Sequence, residues 1–370
     1  MRRKSRALFI TIVPSPYQRD MFRALAARDD VDLSVLYMEA AFPDSPWPEV
    51  PLKAYEKILP GFWVPFGGAR WHVNWDFPDL SGFDFVVLSS FTSLTGQLLM
   101  RSRLRGRRWL FWGERLRRQT NAWKAFVQNK LTAPLAKATG IVGIGRQAEN
   151  DYRRRFPNTS HFCIPYCCEL SNFLIQKRRP PPASHMNFFF CGQMIYRKGV
   201  DLLLSAFEGL VARGRKVHLL LVGREAELPK FLRAINPMAR AQIRYAGFQA
   251  PELLPEYFSQ ADVFVLPSRY DGWGVVINQA LGAGLPVICS DVVGAGLDLV
   301  EENVNGLRFA AGNADELQRC MEQVASNPEV TWEWGEVSRR KAETILPAIG
   351  AEKWTRIFDQ LEHNHENFAG

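Results

Sequence analysis

No run of about 20 consecutive apolar residues occurs among the 370 positions, so no helix of this chain is expected to span a membrane. Cysteine is scarce. The six present (Cys163, Cys167, Cys168, Cys191, Cys289 and Cys320) show no repeated CxxC spacing, and the adjacent Cys167 and Cys168 are badly placed to chelate a tetrahedral metal. Buried free thiols in a reducing compartment are the simpler reading. Neither the Walker nor the dinucleotide-binding glycine pattern is present, and no repeat of fixed period is visible. The Asp-x-Asp at Asp30–Asp32 falls where a helix yields to a strand, which disfavours a metal site. Among the six histidines, His72 in GARWHVNW stands out, with packing as the plainer role, and His363 and His365 sit in a polar tail. The opening MRRKSRALFITIV has a charged start and an apolar run. That run is too short for a secretory signal, lacks an Ala-x-Ala site and ends at Pro14 and Pro16, so residues 7–13 read as a buried strand.

What is present points to two domains, because a single core stops growing at roughly 250 to 300 residues. The 47% apolar content is that of a globular protein. Short apolar runs alternate with helical patterns, as in βαβ units and parallel sheets. Strands are expected near 7–13, 32–37, 84–89, 108–112, 140–144 and 161–164, with helices near 19–28, 93–103, 121–137 and 146–155. The stretch 40–80, rich in Pro, Trp and Phe, reads as a long irregular insertion of the functional kind. An N-terminal domain over 1–170 is followed by a linker at 171–186, whose QKRRPPPASH is stiff and exposed. The pattern restarts with strands at 188–191, 218–222, 243–247, 263–267 and 286–290 and helices at 199–213 and 275–284. This second domain covers 187–346, and a helix and tail occupy 347–370.

The net charge of +8 is unevenly spread. Between Arg101 and Arg155 the cations include Arg103, Arg105, Arg107, Arg108, Arg115, Arg117, Arg118, Lys124, Lys130, Arg153 and Arg154, against Glu114, Glu149 and Asp151. Such a stripe attracts an anionic membrane, a lipid phosphate or nucleic acid, or is a solvated helix face. Stacking motifs are not interleaved, which disfavours nucleic acid. With Trp109, Trp123 and Phe126 among the cations, Arg101 to Lys130 is expected to dock on an inner membrane leaflet.

Two segments carry chemistry. GQMIYRKG, from Gly192 to Gly199, follows a strand and opens a helix, whose free N–H groups and positive dipole end suit a diphosphate beside Lys198. PSRYDGWGVVINQALGAGLPVICSD places Asp271 and two glycines at the carboxyl end of a strand, where open α/β sheets bind ligands. Gly272 and Gly274 permit close backbone approach to a sugar or phosphate, Asp271 accepts from sugar hydroxyls, and Gln279 lies about two turns further along.

The second segment resembles the glycosyltransferase family 4 signature through Asp271, Gly272, Trp273, Gly274, Gln279, Ala280, Gly284, Pro286 and Val287. GQMIYRKGVDLLLSAF, LLLVG before Arg224, YAGF with Gly247 and Phe248, and SQADVFVLPS follow the family's order; the likeness covers roughly 186–325. It implies a GT-B fold: two Rossmann-like α/β domains with parallel sheets facing a cleft, and a C-terminal helix crossing back to the first domain. It implies retaining transfer of a hexose from a nucleotide-diphosphate sugar, with no cofactor and no metal, to a glycan or lipid-linked acceptor. Cell-surface polysaccharide synthesis in the cytoplasm, peripheral to the plasma membrane's inner face, is the matching setting. The alternative is a relative that binds nucleotide-sugar without efficient transfer.

Carried over, Lys198 neutralises the diphosphate, Asp271 with the backbone of 272–274 holds the hexose, and Gln279 meets the ribose. Gly192, Gln193, Arg197, Gly223, Arg224, Gly247, Phe248, Arg269 and Val275 complete the donor side. The family's Arg after the first glycine is Gln193 here, a loss that Arg197 or Arg269 is expected to offset. Its second acidic residue is the neutral Gln279, a change worth about 1 to 2 kcal/mol of donor affinity. On the acceptor side, strand ends place Pro16 and Tyr17, Ser90 and Glu114. Glu114 is expected either to orient or deprotonate an acceptor hydroxyl, as a third catalytic residue beside Lys198 and Asp271, or to pair with Arg115, Arg117 or Arg118.

Overall fold

The computed structural model describes residues 3–41, 51–66, 69–116, 119–176 and 185–369. The chain divides into two compact units, Met1–Cys168 with Pro347–Gly370, and Glu169–Leu346. Residues 177–184 of the expected linker lie outside the described residues, as do Arg117 and Arg118. Among the described residues no helix is long and apolar enough to cross a membrane.

The first unit is built on seven parallel strands in the order β3-β2-β1-β6-β7-β8-β9. In chain order these are β1 (Ser5–Thr11), β2 (Val31–Tyr37), β3 (Glu56–Ile58), β6 (Phe85–Leu88), β7 (Trp109–Gly113), β8 (Gly140–Gly143) and β9 (Ser160–Cys163). Central strands such as β1 are apolar on both faces because helices cover both sides of the sheet. Helix α1 (Pro16–Ala26) starts with Pro16 at its first position, where a missing N–H costs nothing. The later helices of the unit are α2 (Leu94–Leu98), α3 (Ala122–Thr132) and α4 (Arg146–Arg155). The helix expected over 93–103 changes to a wider π-type turn after Leu98, and that expected over 121–137 tightens to a 3₁₀ turn at Ala133, where Pro134 supplies no N–H.

The stretch 40–80 departs from its reading as an irregular insertion. It contains β3 and an antiparallel pair, β4 (Gly61–Phe66) with β5 (Ala69–Asn74), while residues 42–50 lie outside the described residues. Only β5 alternates, with Arg70, His72 and Asn74 against Trp71 and Val73, whereas β4 carries no polar side chain and contains Pro65, which reads against a strand. Arg19 of α1 ties this stretch down. Its guanidinium donates to both oxygens of Glu56, at 2.8 and 2.6 Å, and to the Pro51 carbonyl at 2.8 Å, while Tyr37 donates to Glu56 at 2.7 Å.

The second unit repeats the plan with six parallel strands ordered β12-β11-β10-β13-β14-β15. In sequence they are β10 (Met186–Cys191), β11 (Val217–Val222), β12 (Ile243–Tyr245), β13 (Val263–Leu266), β14 (Val287–Ser290) and β15 (Gly306–Phe309). Its helices are α5 (Ser171–Leu174), α6 (Val200–Ala212), α7 (Leu228–Leu232), α8 (Pro237–Arg240), α9 (Leu254–Ser259), α10 (Val276–Gly282), α11 (Gly294–Leu299), α12 (Ala314–Ala325) and α13 (Pro328–Glu343). From β10 the chain winds outward to β12, then returns to β13 on the other flank. The connections after β10 and β13 therefore leave in opposite directions and open a crevice at their carboxyl ends.

The last helix, α14 (Pro347–Ala369), belongs to the first unit, as the expected crossing back requires. Trp354 is fully buried there, its ring 4.9 Å from Phe9 and 5.6 Å from Trp112.

Burial alone raises the Glu56 carboxyl, but hydrogen bonds from Arg19, the Lys53 amide and Tyr37 outweigh it and hold it below the ordinary range. A depressed value means that this stabilisation is complete above the unfolded carboxyl's pKa, about 4.3, and fades as pH falls through the lower folded value. Arg19→Met leaves the Glu56 charge buried and uncompensated, so urea denaturation should show a loss of about 3 kcal/mol near neutral pH and a smaller loss at about pH 3, where the carboxyl can protonate. An equal loss at both would contradict this account.

Candidate active site

At the crevice between β10 and β13, the loops Gly192–Gly199 and Ser268–Gly274 meet. Lys198 Nζ lies 2.5 Å from Asp271 Oδ2, with the two side chains 17% and 13% exposed. Ser268 Oγ donates to the same oxygen at 3.4 Å. Two glycines make this approach possible. At Gly199, φ is +72° and a Cβ would sit 1.9 Å from the Pro267 carbonyl oxygen, so only glycine lets the start of α6 close on the end of β13. At Gly223, φ is +136° and a Cβ would sit 1.9 Å from the Gly192 carbonyl oxygen, which fixes the turns after β10 and β11 against each other.

The first N–H groups of α6 have no side-chain cap, so the helix presents donors and its positive end beside Lys198. Cys191, at the end of β10, is pushed up to about 12 by burial and stays a thiol.

Arg269 and Arg197, expected to offset the charge missing at Gln193, are both engaged between the two loops. Arg269 grips Asp201 with two bonds of 2.7 Å, donates to the Tyr196 carbonyl at 2.7 Å, and lies 3.6 Å above the Tyr196 ring. Its amide also donates to the Arg197 carbonyl at 2.8 Å. Arg197 in turn donates to the Tyr270 carbonyl at 3.1 Å. Both guanidiniums therefore stitch the two loops together, and the charge missing at Gln193 is not restored by a free Arg269. Asp201 and Tyr196 were not foreseen as site residues. The only sequence hint was an acidic residue in the first turn of α6.

Other expected donor residues gather on the same edge of the sheet. Gly192 accepts no side chain of its own but bonds its amide to Val222, and the Gly223 amide donates to the Gly247 carbonyl at 2.8 Å, lacing the ends of β10, β11 and β12. Gln193 is exposed at the loop's tip. The Arg224 guanidinium lies 6.0 Å from the half-exposed Phe248 ring. Gly272 and Gly274 are buried, with Gly274 at φ +88°, and Val275 caps α10. The Trp273 ring is fully buried and its indole N–H donates to Asn278 at 3.0 Å. Trp273 can thus offer a ligand its backbone, the part the expectation for 272–274 relied on, but not its ring. Gln279 is buried one turn into α10.

In the first unit, Pro16 and Tyr17 at the start of α1, Ser90 after β6 and Glu114 after β7 follow the ends of β1, β6 and β7, which are neighbours in the sheet. Ser90 is buried, with its hydroxyl 3.4 Å from that of Thr92, so it is poorly offered to an acceptor. Glu114 is exposed and accepts a hydrogen bond from the Tyr166 hydroxyl. Arg115 pairs with Asp151 at 3.9 Å. His72 is buried, its Nε2 3.2 Å from Glu39 Oε1, and Asp30 of the Asp-x-Asp is held by Arg28 at 2.6 and 2.8 Å. Among the basic stripe, Trp109 is a core residue of β7, so it cannot dock on anything.

Residues 175–341 match the family described as Glycosyl transferases group 1. Alpha-D-kanosaminyltransferase of Streptomyces kanamyceticus is 27% identical over 164 residues, 44% of this chain and 40% of that protein. The chain spans from 23% to 52% of the length of the curated relatives it matches. Sucrose-phosphate synthase from Thermosynechococcus elongatus superposes with a TM-score of 0.75 at 18% identity, over 98% of this chain and 100% of that one. Anabaena HepE, solved in complex with UDP, gives 0.71 at 14% identity over 96% and 100%. Two Rossmann-like parallel-sheet units that superpose on these structures give the chain the GT-B fold, and its second unit, with the switch-point crevice holding Lys198 against Asp271, is the part that is similar to the glycosyl transferases of group 1.

Proposed function

We propose that this chain is a retaining glycosyltransferase that moves a hexose from a nucleotide-diphosphate sugar to a glycan or lipid-linked acceptor. The observation that carries this reading is the Lys198–Asp271 pair at the carboxyl ends of β10 and β13. The bond between the anomeric carbon and the diphosphate oxygen breaks with its electrons staying on oxygen. Lys198 and the open end of α6 stabilise that developing negative charge, which gives them the task a metal performs elsewhere. Asp271 and the backbone of 272–274 hold the sugar. The acceptor hydroxyl attacks from the face the diphosphate leaves, and its proton passes to the departing phosphate oxygen, which preserves the anomeric configuration. Glu114 orients the acceptor hydroxyl. Anabaena HepE, which shares the fold, was solved with UDP, and a nucleoside diphosphate suits the crevice between β10 and β13 of this chain. Cell-surface polysaccharide synthesis at the cytoplasmic face of the membrane is the setting this reading fits.

A second reading, binding of nucleotide-sugar without efficient transfer, draws on Gln193, Gln279 and the commitment of Arg269 to Asp201. Donor turnover with a panel of acceptors separates the two.

Replacing Lys198 or Asp271 with Ala should lower kcat/KM by roughly 10² to 10³, the usual loss on removing one charge-stabilising group. Thermal unfolding with uridine, guanosine and adenosine diphosphates should show a rise for the wild type with at least one of them, and none with Lys198→Ala. Full activity in both variants would refute the assignment.

The Arg269 clasp makes a separate prediction. Arg269→Lys keeps the charge but loses the fork and the stacking plane, so donor affinity should weaken by roughly tenfold. Asp201→Asn should do the same, and the double variant should be no worse than either single one. Additive losses in calorimetric titration would show that the two side chains act separately.

A further inference from the structure

The first unit exposes large apolar side chains on three elements that are hydrogen-bonded to one another. On the hairpin, Phe62 and Val64 share a face with Trp71 and Val73 of the partner strand, and none of the four is buried. Leu94 and Leu98 stand one turn apart on α2, and Leu98 is 63% exposed. On α3, Trp123 is 70% exposed and stacks on Phe126 with ring centroids 5.7 Å apart. Thr95 of α2 donates to the His72 carbonyl at 3.0 Å and accepts from the Asn74 amide at 2.9 Å, which fastens α2 to β5. Gln97 donates to the Leu131 carbonyl at 2.8 Å and Arg101 to the Lys130 carbonyl at 3.0 Å, which fastens α2 to the end of α3.

Along α2, α3 and the chain between them the charge is almost all of one sign. Between Leu94 and Thr132 the sequence holds ten Lys and Arg residues and a single acid, Glu114. Arg101, Arg103, Arg105, Lys124 and Lys130 are exposed, and Lys130 Nζ lies 5.5 Å from the Phe126 ring centre.

We infer that the hairpin, α2 and α3 together form a docking face for an anionic lipid bilayer. Exposed Trp and Phe rings beside Leu, interspersed with Lys and Arg, match the layering of a bilayer interface, where apolar groups enter the acyl boundary and cations remain among anionic headgroups. Aliphatic tips such as Leu94, Leu98 and Val64 offer nothing to stacked bases, so a nucleic acid would leave them in water. Trp109, expected to take part, is replaced in this role by the hairpin. The inference does not depend on the transfer reading, because its test reads partition and not turnover.

The test is sedimentation of the full chain with vesicles of phosphatidylcholine alone or mixed with phosphatidylglycerol. The wild type should pellet with the mixed vesicles, less so at high salt, and weakly with phosphatidylcholine alone. Trp123→Ala with Phe126→Ala, Lys124→Glu with Lys130→Glu, and Leu98→Asn each change exposed side chains, so thermal unfolding midpoints should hold while partition falls roughly tenfold for the paired variants. Wild-type partition in both paired variants would overturn the proposal. So would equal pelleting with both vesicle types, or pelleting with neither, the outcome expected if an acidic protein is the partner. Loss in Leu98→Asn as well extends the face beyond α3, and its absence would break the three-element claim.

Discussion

Lys198 and Asp271 are 73 residues apart in sequence, and their contact depends on β10 and β13 being hydrogen-bonded neighbours. The intervening chain builds β11 and β12 on the far flank before returning, so the two strand ends become adjacent with their loops diverging. That divergence leaves room for a ligand, and the adjacency puts opposite charges on its two walls. The spacing is set by backbone, since Gly199 lets the start of α6 rest against Pro267 with no side chain between them. Any Cβ there would push the Lys198 loop off the Asp271 loop and lengthen the ion pair.

The charges in the crevice are arranged as coupled pairs. Lys198 faces Asp271, and Arg269 faces Asp201, whose hydrogen bonds raise the guanidinium's already high proton affinity. A diphosphate entering the crevice competes with Asp271 for Lys198 and has no comparable claim on Arg269, which is gripped by both oxygens of its partner. The first pair is thus exchangeable and the second structural. Lys198 is held at the crevice by Asp271, and on the transfer reading proposed above an entering diphosphate would take over that cation without a change in the loop that carries it. The same coupling means that Lys198 and Asp271 have no independent worth, because removal of the cation leaves a carboxylate turned toward an anionic substrate.

The alternation of strands and helices was legible because it is local: β10, α6, β11 and β13 fall within a few residues of their expected positions. The loop motifs were legible because a glycine, a lysine and an aspartate at strand ends keep their meaning without knowledge of partners. The Asp201–Arg269 bond was not, since it joins residues 68 apart that share no periodic pattern, and the charge of Arg269 gave no sign of being already engaged. The inward turn of the Trp273 ring was not legible either. Folding turns that ring onto Asn278, five residues further on, and leaves the backbone between the two glycines as the part that faces a ligand. The helical bounds near 103 and 137 were legible, but the change to a π-type turn after Leu98 and to a 3₁₀ turn at Ala133 was not, since a continuous apolar pattern carries no mark of either.

The hairpin shows how one element can meet two opposed demands. Its inner face carries Arg70 and His72, which approach the Glu39 carboxylate at 3.1 and 3.2 Å, with Arg70 also 4.8 Å from the Trp63 ring centre. Glu39 follows β2, and its amide donates to Ile12 just beyond β1, so the hairpin is pinned to the carboxyl edge of the sheet by buried polar contacts. Its outer face is left apolar and open. Side chains presented on a pinned ribbon lose less freedom on docking than those on a loose loop, so more of their burial is available as affinity. A polar inner face fixing an apolar outer one gives β5 the alternation of a two-faced strand, and β4 lacks it because its inner positions are Trp63, beneath Arg70, and Pro65.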